Sequence, residues 1–466
     1  MNKLLKLSLI IVLTSCAAPA RKQVKLDFET PPPESQTARL DSAWWHVFND
    51  NQLNQVLGKA LQKNGNLIIA ASNIRAAAAQ AKIAGAPLFP QLSSSLQGSK
   101  SKQNFIGLPI GDGGDILSSE SVSYGLSLNV SWELDLWGKL RSDQAAAVAQ
   151  LQASQADYIA AQLSLVGQVC KVWFAVIASN GQMELAKATV ENWRSSYERV
   201  KRRYESGLTT SLDLRLSHSN LARAQADYSA SQFQYESVLR QLETLLWQFP
   251  HANIAHSAAL PALSENVPEG LSANLLNRRP DLAAAERRLA AAGATVSGAK
   301  RALLPQISLT GSRGTSSTAL GDLLSGDFSV WSFAGNILQP LFQGGRLRAN
   351  VSLAKSQEGI ALMQYQNSAL QAFAEVGNAL SNEKYLKEQE EALRIAVEQA
   401  LAARELAETQ YTRGIIDFIT MLETQRAAFD TERLHLDVNR QRLDARVDLY
   451  LALGGGFEVE TTQESL

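Results

Sequence analysis

The stretch that decides the fold reads Val122-Ser123-Tyr124-Gly125-Leu126-Ser127-Leu128-Asn129-Val130-Ser131-Trp132-Glu133-Leu134. Apolar side chains alternate along it with polar or small ones without a single exception. Because successive side chains of a strand point to opposite faces, the pattern predicts a β-strand with one apolar and one polar face. It is longer than the roughly 9–11 residues with which a tilted strand crosses a membrane. A membrane-spanning strand is favoured, and periodicity alone leaves an amphipathic strand on a soluble sheet as the alternative.

Three weaker segments are also predicted to be strands. One is the Ser-rich partner that follows Pro90, and the other two lie in the second half of the chain. In the last of them Trp331, Phe333 and Ile337 fall on one face. Tryptophans near the strand ends fit the aromatic belt of a membrane protein, although single tryptophans carry little weight. They are Trp132, Trp137 and Trp331.

Four strands are too few to close a barrel, because the smallest membrane barrels have about eight. If the strands span a membrane, the chain must therefore form an oligomer. Two chains would give eight strands, a size whose interior is filled by side chains, so a duct needs at least three chains. The Ser/Asn/Gly face would then line water and the Val/Leu/Trp face would contact lipid.

An internal repeat organises the chain. Three pairs of segments match in the same order: Leu88-Phe89-Pro90-Gln91-Leu92-Ser93 with Leu303-Leu304-Pro305-Gln306-Ile307-Ser308, Trp137-Gly138-Lys139-Leu140-Arg141 with Gly344-Gly345-Arg346-Leu347-Arg348, and Arg203-Tyr204-Glu205-Ser206-Gly207 with Gln410-Tyr411-Thr412-Arg413-Gly414. Each copy is predicted to run helix, strand, loop, strand, long helix, glycine break, helix.

The repeat sets the predicted domain bounds. They are a signal peptide at 1–15, an N-terminal segment at 16–49, a first repeat at 50–248 with strands at about 90–100 and 122–135, a linker at 249–270, a second repeat at 271–453 with strands at about 305–314 and 328–341, and a C-terminal tail at 454–466. The long helices are predicted to end at Gly207 and Gly414.

Those long helices have no counterpart in an ordinary compact domain. From Leu140 to Gly207, and from Leu347 to Gly414, the chain has no proline and is rich in good helix formers. At 1.5 Å per residue each run would reach about 100 Å. Such helices must pack side by side, and one of them carries small or apolar residues at coiled-coil spacing. These residues are Leu347, Val351, Ala354, Ala361, Tyr365 and Ala372.

The N-terminus has the features of an export signal. Lys3 and Lys6 precede a short apolar run that is too brief to span a bilayer as a helix. The following Leu13-Thr14-Ser15-Cys16 resembles the bacterial lipobox, in which the cysteine carries a diacylglycerol, and Ala17 resembles the residue found in lipoproteins sorted to the outer membrane. An exported soluble protein with an unmodified Cys16 is the alternative. The second cysteine, Cys170, lies in an apolar helical run and is predicted to be a buried, inert thiol.

Composition and motifs argue against other classes of protein. With 44 basic against 45 acidic residues the chain lacks the basic excess of a nucleic-acid binder. Its five histidines are few and scattered, and it has no Cys-x-x-Cys. Gly111-Asp112-Gly113-Gly114 lies in a polar loop between strands, whereas a phosphate cradle needs a strand-to-helix turn. We expect no enzyme activity and no catalytic, cofactor or metal site.

The motifs together resemble one family, the TolC-like outer membrane factors, over nearly the whole mature chain. They are the lipobox, the two Pro-Gln strand entries, the turn at Trp137-Gly138-Lys139-Leu140-Arg141, Arg278-Arg279-Pro280-Asp281 and the duplicated Tyr…Gly helix break. Arg-Arg-Pro-Asp and lipidation point to the lipoprotein branch that serves resistance-nodulation-division (RND) pumps. Because Pro280 suits the first turn of a helix and Asp281 its positive end, this motif also has a purely structural interpretation.

The resemblance implies a homotrimer in the outer membrane: an α+β membrane protein with a twelve-stranded β-barrel continued by a long periplasmic α-helical barrel, and with an equatorial region that includes linker 249–270. It implies a passive exit duct for drugs or other small toxic compounds, working with a periplasmic adaptor and an inner-membrane RND pump. It implies no cofactor beyond the lipid on Cys16. Two alternatives stay open: a type I protein-secretion duct and a coiled-coil scaffold lipoprotein without a pore.

The resemblance also implies a gate just past the second glycine break. Ile419, Glu423 and Arg426 stand at i, i+4 and i+7, on one helix face, and match the family's periplasmic constriction, although Glu replaces the commoner Asp. Asp213 matches a gate-latching acid, and its expected partner is Tyr411. An exposed i, i+3 pair of Glu423 with Arg426 is the alternative.

Overall fold

The computed structural model describes residues 43–106, 117–263 and 278–455. Its helices and strands are α1 (Asn51–Lys63), α2 (Gly65–Gly85), β1 (Gln91–Phe105), β2 (Leu117–Leu134), α3 (Lys139–Glu205), α4 (Ser211–Leu245), α5 (Pro280–Arg301), β3 (Gln306–Ser317), β4 (Ser329–Leu338), α6 (Arg346–Thr412) and α7 (Phe418–Ala452). The chain divides into two compact units, one formed by residues 74–154 and 285–365, and the other by the remaining described residues. Both units draw on both repeats.

The helix lengths confirm the duplication that the motifs predict. Helices α3 and α6 each have 67 residues, and α4 and α7 each have 35. The glycines at the start of the long helices also match, since Gly138 has φ +80° and Gly345 has φ +83°. Each position needs the left-handed backbone that glycine adopts at little cost.

The four strands form one antiparallel sheet in the order β1-β2-β3-β4. Residues that oppose each other in the ladder share a face. Leu128 pairs with Ser94 on one side and with Arg313 on the other, and Arg313 pairs in turn with Trp331. The apolar rows of the strands therefore lie on a single face. Its exposed members are Leu92, Leu96, Leu126, Leu128, Val130, Trp331, Phe333 and Ile337.

The opposite face is rich in hydroxyl and amide groups that bond to one another across the strands. Ser95 and Ser127 share a hydrogen bond of 2.8 Å, and the Asn129 amide donates to both hydroxyl oxygens at 3.2 Å. Ser312 and Ser332 make a second pair at 2.8 Å. The predicted apolar and polar faces are thus confirmed for β2 and continue across most of the sheet, with Val330 and Leu338 as exposed exceptions on the polar face and Arg313 on the apolar one.

The strand bounds differ from the predicted ones, most of all in the first hairpin. β1 continues to Phe105 instead of residue 100, and β2 begins at Leu117 instead of residue 122. This extension is polar and carries no apolar alternation, so periodicity missed it, but the backbone ladder and the Lys100–Glu120 ion pair at 3.4 Å continue through it. In the second hairpin β3 runs to Ser317 instead of residue 314, and β4 ends at Leu338 before Pro340, which has no N–H for the ladder.

Two of the predicted belt tryptophans bond to the strand entries. The Trp132 indole donates to the Leu88 carbonyl at 2.9 Å, and the Trp137 indole donates to the Pro305 carbonyl at 2.7 Å. Both carbonyls belong to the repeated Pro-Gln motif. The indoles therefore fix the start of β1 and of β3, whatever else their rings contact.

The core of the second unit is built on the middle of α3. Val166, Val169, Trp173 and Phe174 are fully buried there. Cys170 is buried among them, and burial raises the pKa of its thiol, which confirms the predicted inert side chain. The core also takes Trp44 and Phe48 from the segment before α1.

One carboxylate joins three parts of this unit. Asp50 caps α1 by accepting from the backbone N–H groups of Gln52 and Leu53. Its second oxygen accepts from the Trp173 indole at 2.9 Å and from the Ser257 hydroxyl at 2.8 Å. Helix α1, helix α3 and the linker after α4 are therefore held to one another by a single side chain.

The predicted first helix is two helices, separated at Asn64. The Asn64 amide donates to the Leu245 carbonyl at 2.9 Å, and its oxygen accepts from the backbone N–H of Asn66. The side chain thus takes over hydrogen bonds that a continuous helix would make within itself.

The Arg-Arg-Pro-Asp motif begins α5 and is a structural tie. The buried Arg279 guanidinium donates twice to Asp281, and also to the Ala452 carbonyl at the end of α7. An ion pair of 2.7 Å to Glu375 adds α6. One arginine therefore fixes the start of α5 against α6 and the end of α7, as the structural interpretation of the motif predicts.

Buried charges also join α6 to α7. Arg446 and Glu383 are both almost fully buried and form an ion pair, and Arg442 pairs with Glu390 one step along the helices. Breaking such a pair by removing one partner typically costs about 3–5 kcal/mol, because an uncompensated charge stays buried.

Asp444 on α7 gives the second unit a pH-dependent stability. Burial raises the pKa of this carboxyl to about 6, against the opposing charges of Arg440 and Lys171. Because the folded protein binds this proton more tightly than the unfolded chain, the stabilisation is complete below about pH 4 and is lost as pH rises through about 6. The shift corresponds to at most about 3 kcal/mol.

We expect Asp444→Asn to remove this dependence. As the pH rises from 4.5 to 7.5, the wild type should lose unfolding free energy that the variant keeps. The difference in unfolding free energy, variant minus wild type, should therefore increase over this range, as measured by thermal unfolding of the detergent-solubilised protein. Asp437→Asn, which removes another acceptor of Arg440 from the same helix, is the matched control. Equal pH slopes for the wild type and both variants would contradict the assignment.

Candidate functional site

The long helices α3 and α6 end in the same turn. At Gly207 the backbone has φ +71°, its N–H donates to the Tyr204 carbonyl, and the next N–H donates to the Arg203 carbonyl. At Gly414, with φ +73°, the pattern repeats. This Schellman arrangement needs a left-handed residue, so both predicted glycine breaks are confirmed.

The next helices, α4 and α7, each begin with an N-cap residue. The residue types at the N-cap and at the third helical position, one Thr and one Asp, are swapped between the two copies. At α4 the cap is Thr210 and the third helical residue is Asp213, and each side chain accepts from the backbone N–H of the other. At α7 the cap is Asp417, which accepts from the Thr420 N–H at 2.8 Å. Asp213 and Thr420 occupy equivalent positions of the repeat.

The structure places Asp213 in this cap. Its carboxylate accepts from the hydroxyls of Thr209 at 2.6 Å and of Thr210 at 2.9 Å. Partial burial opposes ionisation, but these hydrogen bonds and the nearby Arg203 charge outweigh it and hold the pKa of Asp213 below its usual value. The carboxylate is thus kept ionised beside the N-terminus of α4.

Tyr411, the expected partner, lies close to Asp213 without a hydrogen bond to it. The ring is buried, with the Arg203 guanidinium 5.1 Å from its centroid, and among the described residues its hydroxyl has no hydrogen-bond partner. Burial raises the pKa of Tyr411, the Arg203 charge opposes the rise, and the Asp213 charge adds to it. The two residues predicted to form the latch are therefore close enough for their charges to interact, and the Arg203 charge acts on both.

The predicted constriction set lies together on the face of α7 that points away from the core. Ile419 is half exposed, and Glu423 and Arg426 are exposed. The buried face carries Phe418 and Met421. Within the part of the chain that the structure describes, Glu423 and Arg426 form no ion pair, so the alternative of a paired i, i+3 couple has no support.

A buried polar cluster behind this face escaped the sequence analysis. Gln425 is fully buried on the core side of α7 and donates to the Glu408 carboxylate at 2.7 Å, which also accepts from Asn192 at 3.2 Å. It joins α3, α6 and α7 close to the helix ends. A glutamine in an otherwise apolar helix face was the signal that could have revealed it.

The remaining site residue, Cys16, lies outside the described residues. In the described part of the chain, no three His, Cys, Asp or Glu side chains are placed to hold a metal ion. What the structure presents is therefore an amphipathic sheet and a pair of capped helix turns with exposed polar residues.

Comparison with known proteins agrees with this architecture. The sequence profile of a family described as outer membrane efflux protein matches residues 56–246 and 271–455. The chain is 33% identical over 469 residues to the pyoverdine export outer membrane protein OpmQ of Pseudomonas putida, covering 98% of this chain and 97% of that protein. It is 33% identical to the outer membrane protein OprJ of Pseudomonas aeruginosa over 91% of this chain and 88% of that one.

Solved structures give the same result. The Campylobacter jejuni CmeC outer membrane channel matches with a TM-score of 0.85 and 28% identity over 93% of this chain and 91% of that one. The outer-membrane channel OprN matches with a TM-score of 0.85 and 28% identity over 95% of this chain and 99% of that one. These relatives are channel and transport proteins. With the amphipathic sheet, the duplicated helices and these matches, the chain belongs to the outer membrane efflux protein family, as an outer-membrane channel component of an efflux pump.

Proposed function

We propose that three copies of this chain form a passive duct through the outer membrane, with a twelve-stranded barrel and a helical tunnel in the periplasm. The observation that carries the proposal is the open sheet with an exposed apolar face. The strands alternate in direction, so β4 of one copy runs antiparallel to β1 of the next, and copies can be added edge to edge. In a membrane both edges must be paired, because lipid offers no hydrogen bonds.

The number of copies follows from the interior. An eight-stranded barrel from two chains would be filled by its own side chains, whereas twelve strands leave a water-filled space. The hydroxyl-rich face then lines the water, and the apolar face contacts the lipid.

We expect the detergent-purified particle to have the protein mass of three chains. Light scattering with separate determination of the bound detergent measures this mass. A mass of one or two chains would overturn the trimer.

The duct is proposed to carry small organic compounds. One relative is named for pyoverdine export, and another, TtgC of Pseudomonas putida, for toluene efflux. Both names refer to small molecules, which favours efflux over protein secretion. A coiled-coil scaffold without a pore leaves the exposed apolar face of the sheet unexplained.

The partners are proposed to be a periplasmic adaptor and an inner-membrane pump of the RND class. Support comes from the helix turns after α3 and α6, where apolar side chains are exposed at matching positions of the two copies. These are Leu208 and Ile415. Exposed apolar groups around two rigid turns suit a protein partner.

At the same end we propose that Ile419, Glu423 and Arg426 line the constriction, and that Asp213 and Tyr411 belong to its latch. Support comes from the exposure of the first set and from the electrostatic coupling of the second through Arg203. In a trimer, three Glu423 carboxylates would repel one another and favour bound cations. Neutralising them should therefore make opening easier.

We expect Glu423→Ala and Asp213→Ala to raise single-channel conductance in a planar bilayer and antibiotic leak in cells, without loss of the trimer. Glu391→Ala is the matched control, because it removes an exposed carboxylate of α6 that pairs only with its helix neighbour Arg394 in the described chain. Asp213→Asn removes the charge but keeps a side-chain oxygen that can accept the cap hydrogen bonds. It therefore separates the effect of the charge from the effect of the cap. If both alanine variants conduct like the wild type and divalent cations block all of them equally, the constriction lies elsewhere.

The lipid anchor is a separate proposal, supported by the sequence Leu13-Thr14-Ser15-Cys16 after the export signal. We expect labelled palmitate to enter the wild-type protein and not Cys16→Ala. The variant should still fold, because the barrel provides its own attachment to the membrane. Absence of label from the wild type would refute lipidation.

A further inference from the structure

The two hairpins of the sheet have the same ladder register. Gln91 of β1 pairs with Ser131 of β2, and Gln306 of β3 pairs with Leu338 of β4. Gln306 follows Gln91 by 215 residues, and both are the glutamines of the repeated Pro-Gln entries. Leu338 follows Ser131 by 207 residues, which is also the separation of the glycines that begin the long helices, at 138 and 345. The hairpins are therefore equivalent residue by residue.

Hydrogen bonds of side chains repeat with the same two offsets. The Trp132 indole at the end of β2 donates to the Leu88 carbonyl before β1. The Gln339 amide at the end of β4 donates to the Leu303 carbonyl before β3, at 3.1 Å. Gln339 follows Trp132 by 207 residues and Leu303 follows Leu88 by 215, so the equivalence extends to the bonds that fix the strand entries.

Within one copy, β2 and β3 join the first hairpin to the second. In this junction Val130 pairs with Gly311, and Tyr124 pairs with Ser317. A closed barrel of identical copies needs one further kind of junction, in which β4 meets β1 of the next copy. Because the hairpins are equivalent, the same register at this junction gives every junction of the barrel the same stagger, which is how a regular barrel closes.

The two offsets convert the observed junction into the missing one. Val130 with Gly311 becomes Ile337 opposite Leu96 of the next copy, and Tyr124 with Ser317 becomes Trp331 opposite Lys102 of the next copy. The apolar face of one copy thereby continues on the same side in the next, whereas a shift by one residue would turn it to the water.

This register also gives a partner to the whole of β4. Residues 329–338 lie opposite residues 95–104 of the next copy, all of which belong to β1. The first half of β4 would have no partner if β1 ended at residue 100, as the sequence pattern predicted. The polar extension of β1 and β2 is therefore the part of the first hairpin that completes the junction between copies.

The side chains brought together on the apolar face are complementary. Trp331 is 79% exposed and Phe333 is 71% exposed in a single copy. The junction places them directly opposite Lys102 and Lys100 of the next copy, with Cβ atoms about 4.5–5.5 Å apart. A lysine at this distance covers the ring with its apolar stem and brings its ammonium group over the aromatic face.

We propose that β4 of one copy pairs with β1 of the next in this register, with Lys102 set against Trp331 and Lys100 against Phe333 across the junction. The proposal rests on the proposed trimer and adds to it the alignment of the strands between copies. The competing registers that keep the faces aligned are slipped by two residues and place Trp331 opposite Lys100 or Asn104.

Cysteine cross-linking of the detergent-purified full chain tests the register. After oxidation with copper phenanthroline, Ser332→Cys with Ser101→Cys and Ser329→Cys with Asn104→Cys should give covalent dimers and trimers on non-reducing gels. Two pairs are used because neighbouring positions alternate between narrow and wide spacing. Within one copy the two edges are about 14 Å apart, so a disulfide must join two copies.

The matched controls are slipped by one step on the same face. Ser332→Cys combined with Ser99→Cys or with Gln103→Cys is misplaced by about 7 Å and should cross-link little. Ser332→Cys alone controls for the native cysteines. Stronger cross-linking of a slipped pair, or none of either register pair in a particle of three chains, would overturn the register and leave the duct. A particle with the mass of one chain would refute the trimer itself.

Heating tests the side-chain contact without new cysteines, and it decides if the cysteine variants do not assemble. Lys102→Gln should lower the temperature at which the oligomer dissociates in detergent, and Lys102→Arg, which keeps the cation, should dissociate like the wild type. Lys187→Gln is the control, because this exposed lysine of α3 pairs with its helix neighbour Glu184. Equal dissociation temperatures for the wild type and Lys102→Gln would overturn the contact.

Discussion

In the hydrocarbon region of a membrane, backbone N–H and C=O groups have no water to bond with, and every one of them must be satisfied by protein. The sheet of this chain meets that demand internally at β2 and β3 and leaves one edge of β1 and one of β4 open. The other features depend on this constraint. An even number of alternating strands allows edge-to-edge closure, and the apolar face of the sheet is already formed in one copy.

The duplication gives both copies the same helix lengths and turns. The residues that differ between the copies determine where each copy carries its charged groups. Helix lengths and helix-ending glycines are the same in both, so the geometry of the turns is held constant. In the first copy the N-cap is a Thr and the third helical residue is an Asp, and in the second copy the order is reversed. The carboxylate is therefore at Asp213, the third helical residue, in one copy and at Asp417, the N-cap, in the other. Glu423 has Leu216 as its counterpart in the first copy, so an exposed acid on this helix face belongs to α7 alone.

Sequence patterns predicted those parts of the fold that a single local rule decides. Alternation found β2, and two glycines marked the ends of α3 and α6. The hairpin extension to Phe105 was missed because ladder hydrogen bonds use the backbone and leave no trace in polar side chains. The helix break at Asn64 depends on a partner far away in sequence, the Leu245 carbonyl.

The candidate site divides in the same way. Helical spacing placed Ile419, Glu423 and Arg426 on one face, because a face depends on periodicity alone. The capping-box spacing of Thr210 and Asp213 is a local signal that the family resemblance to a latch led us to overlook, whereas the contact of Arg203 with the Tyr411 ring depends on how α3 and α6 pack. The buried Gln425–Glu408 bond belongs to the same class of three-dimensional information.

The hydroxyl-rich face of the sheet has a consequence for permeation. In the proposed trimer it becomes a wall with almost no fixed charge, since Glu133, the one charged side chain of the described strands on that face, is paired with Lys139. Such a wall neither concentrates counter-ions nor repels co-ions, and its hydroxyls exchange hydrogen bonds with any polar solute. The barrel therefore provides little discrimination between anions and cations, and whatever ionic selectivity the duct has must arise in the helical part, where carboxylates and guanidinium groups are exposed.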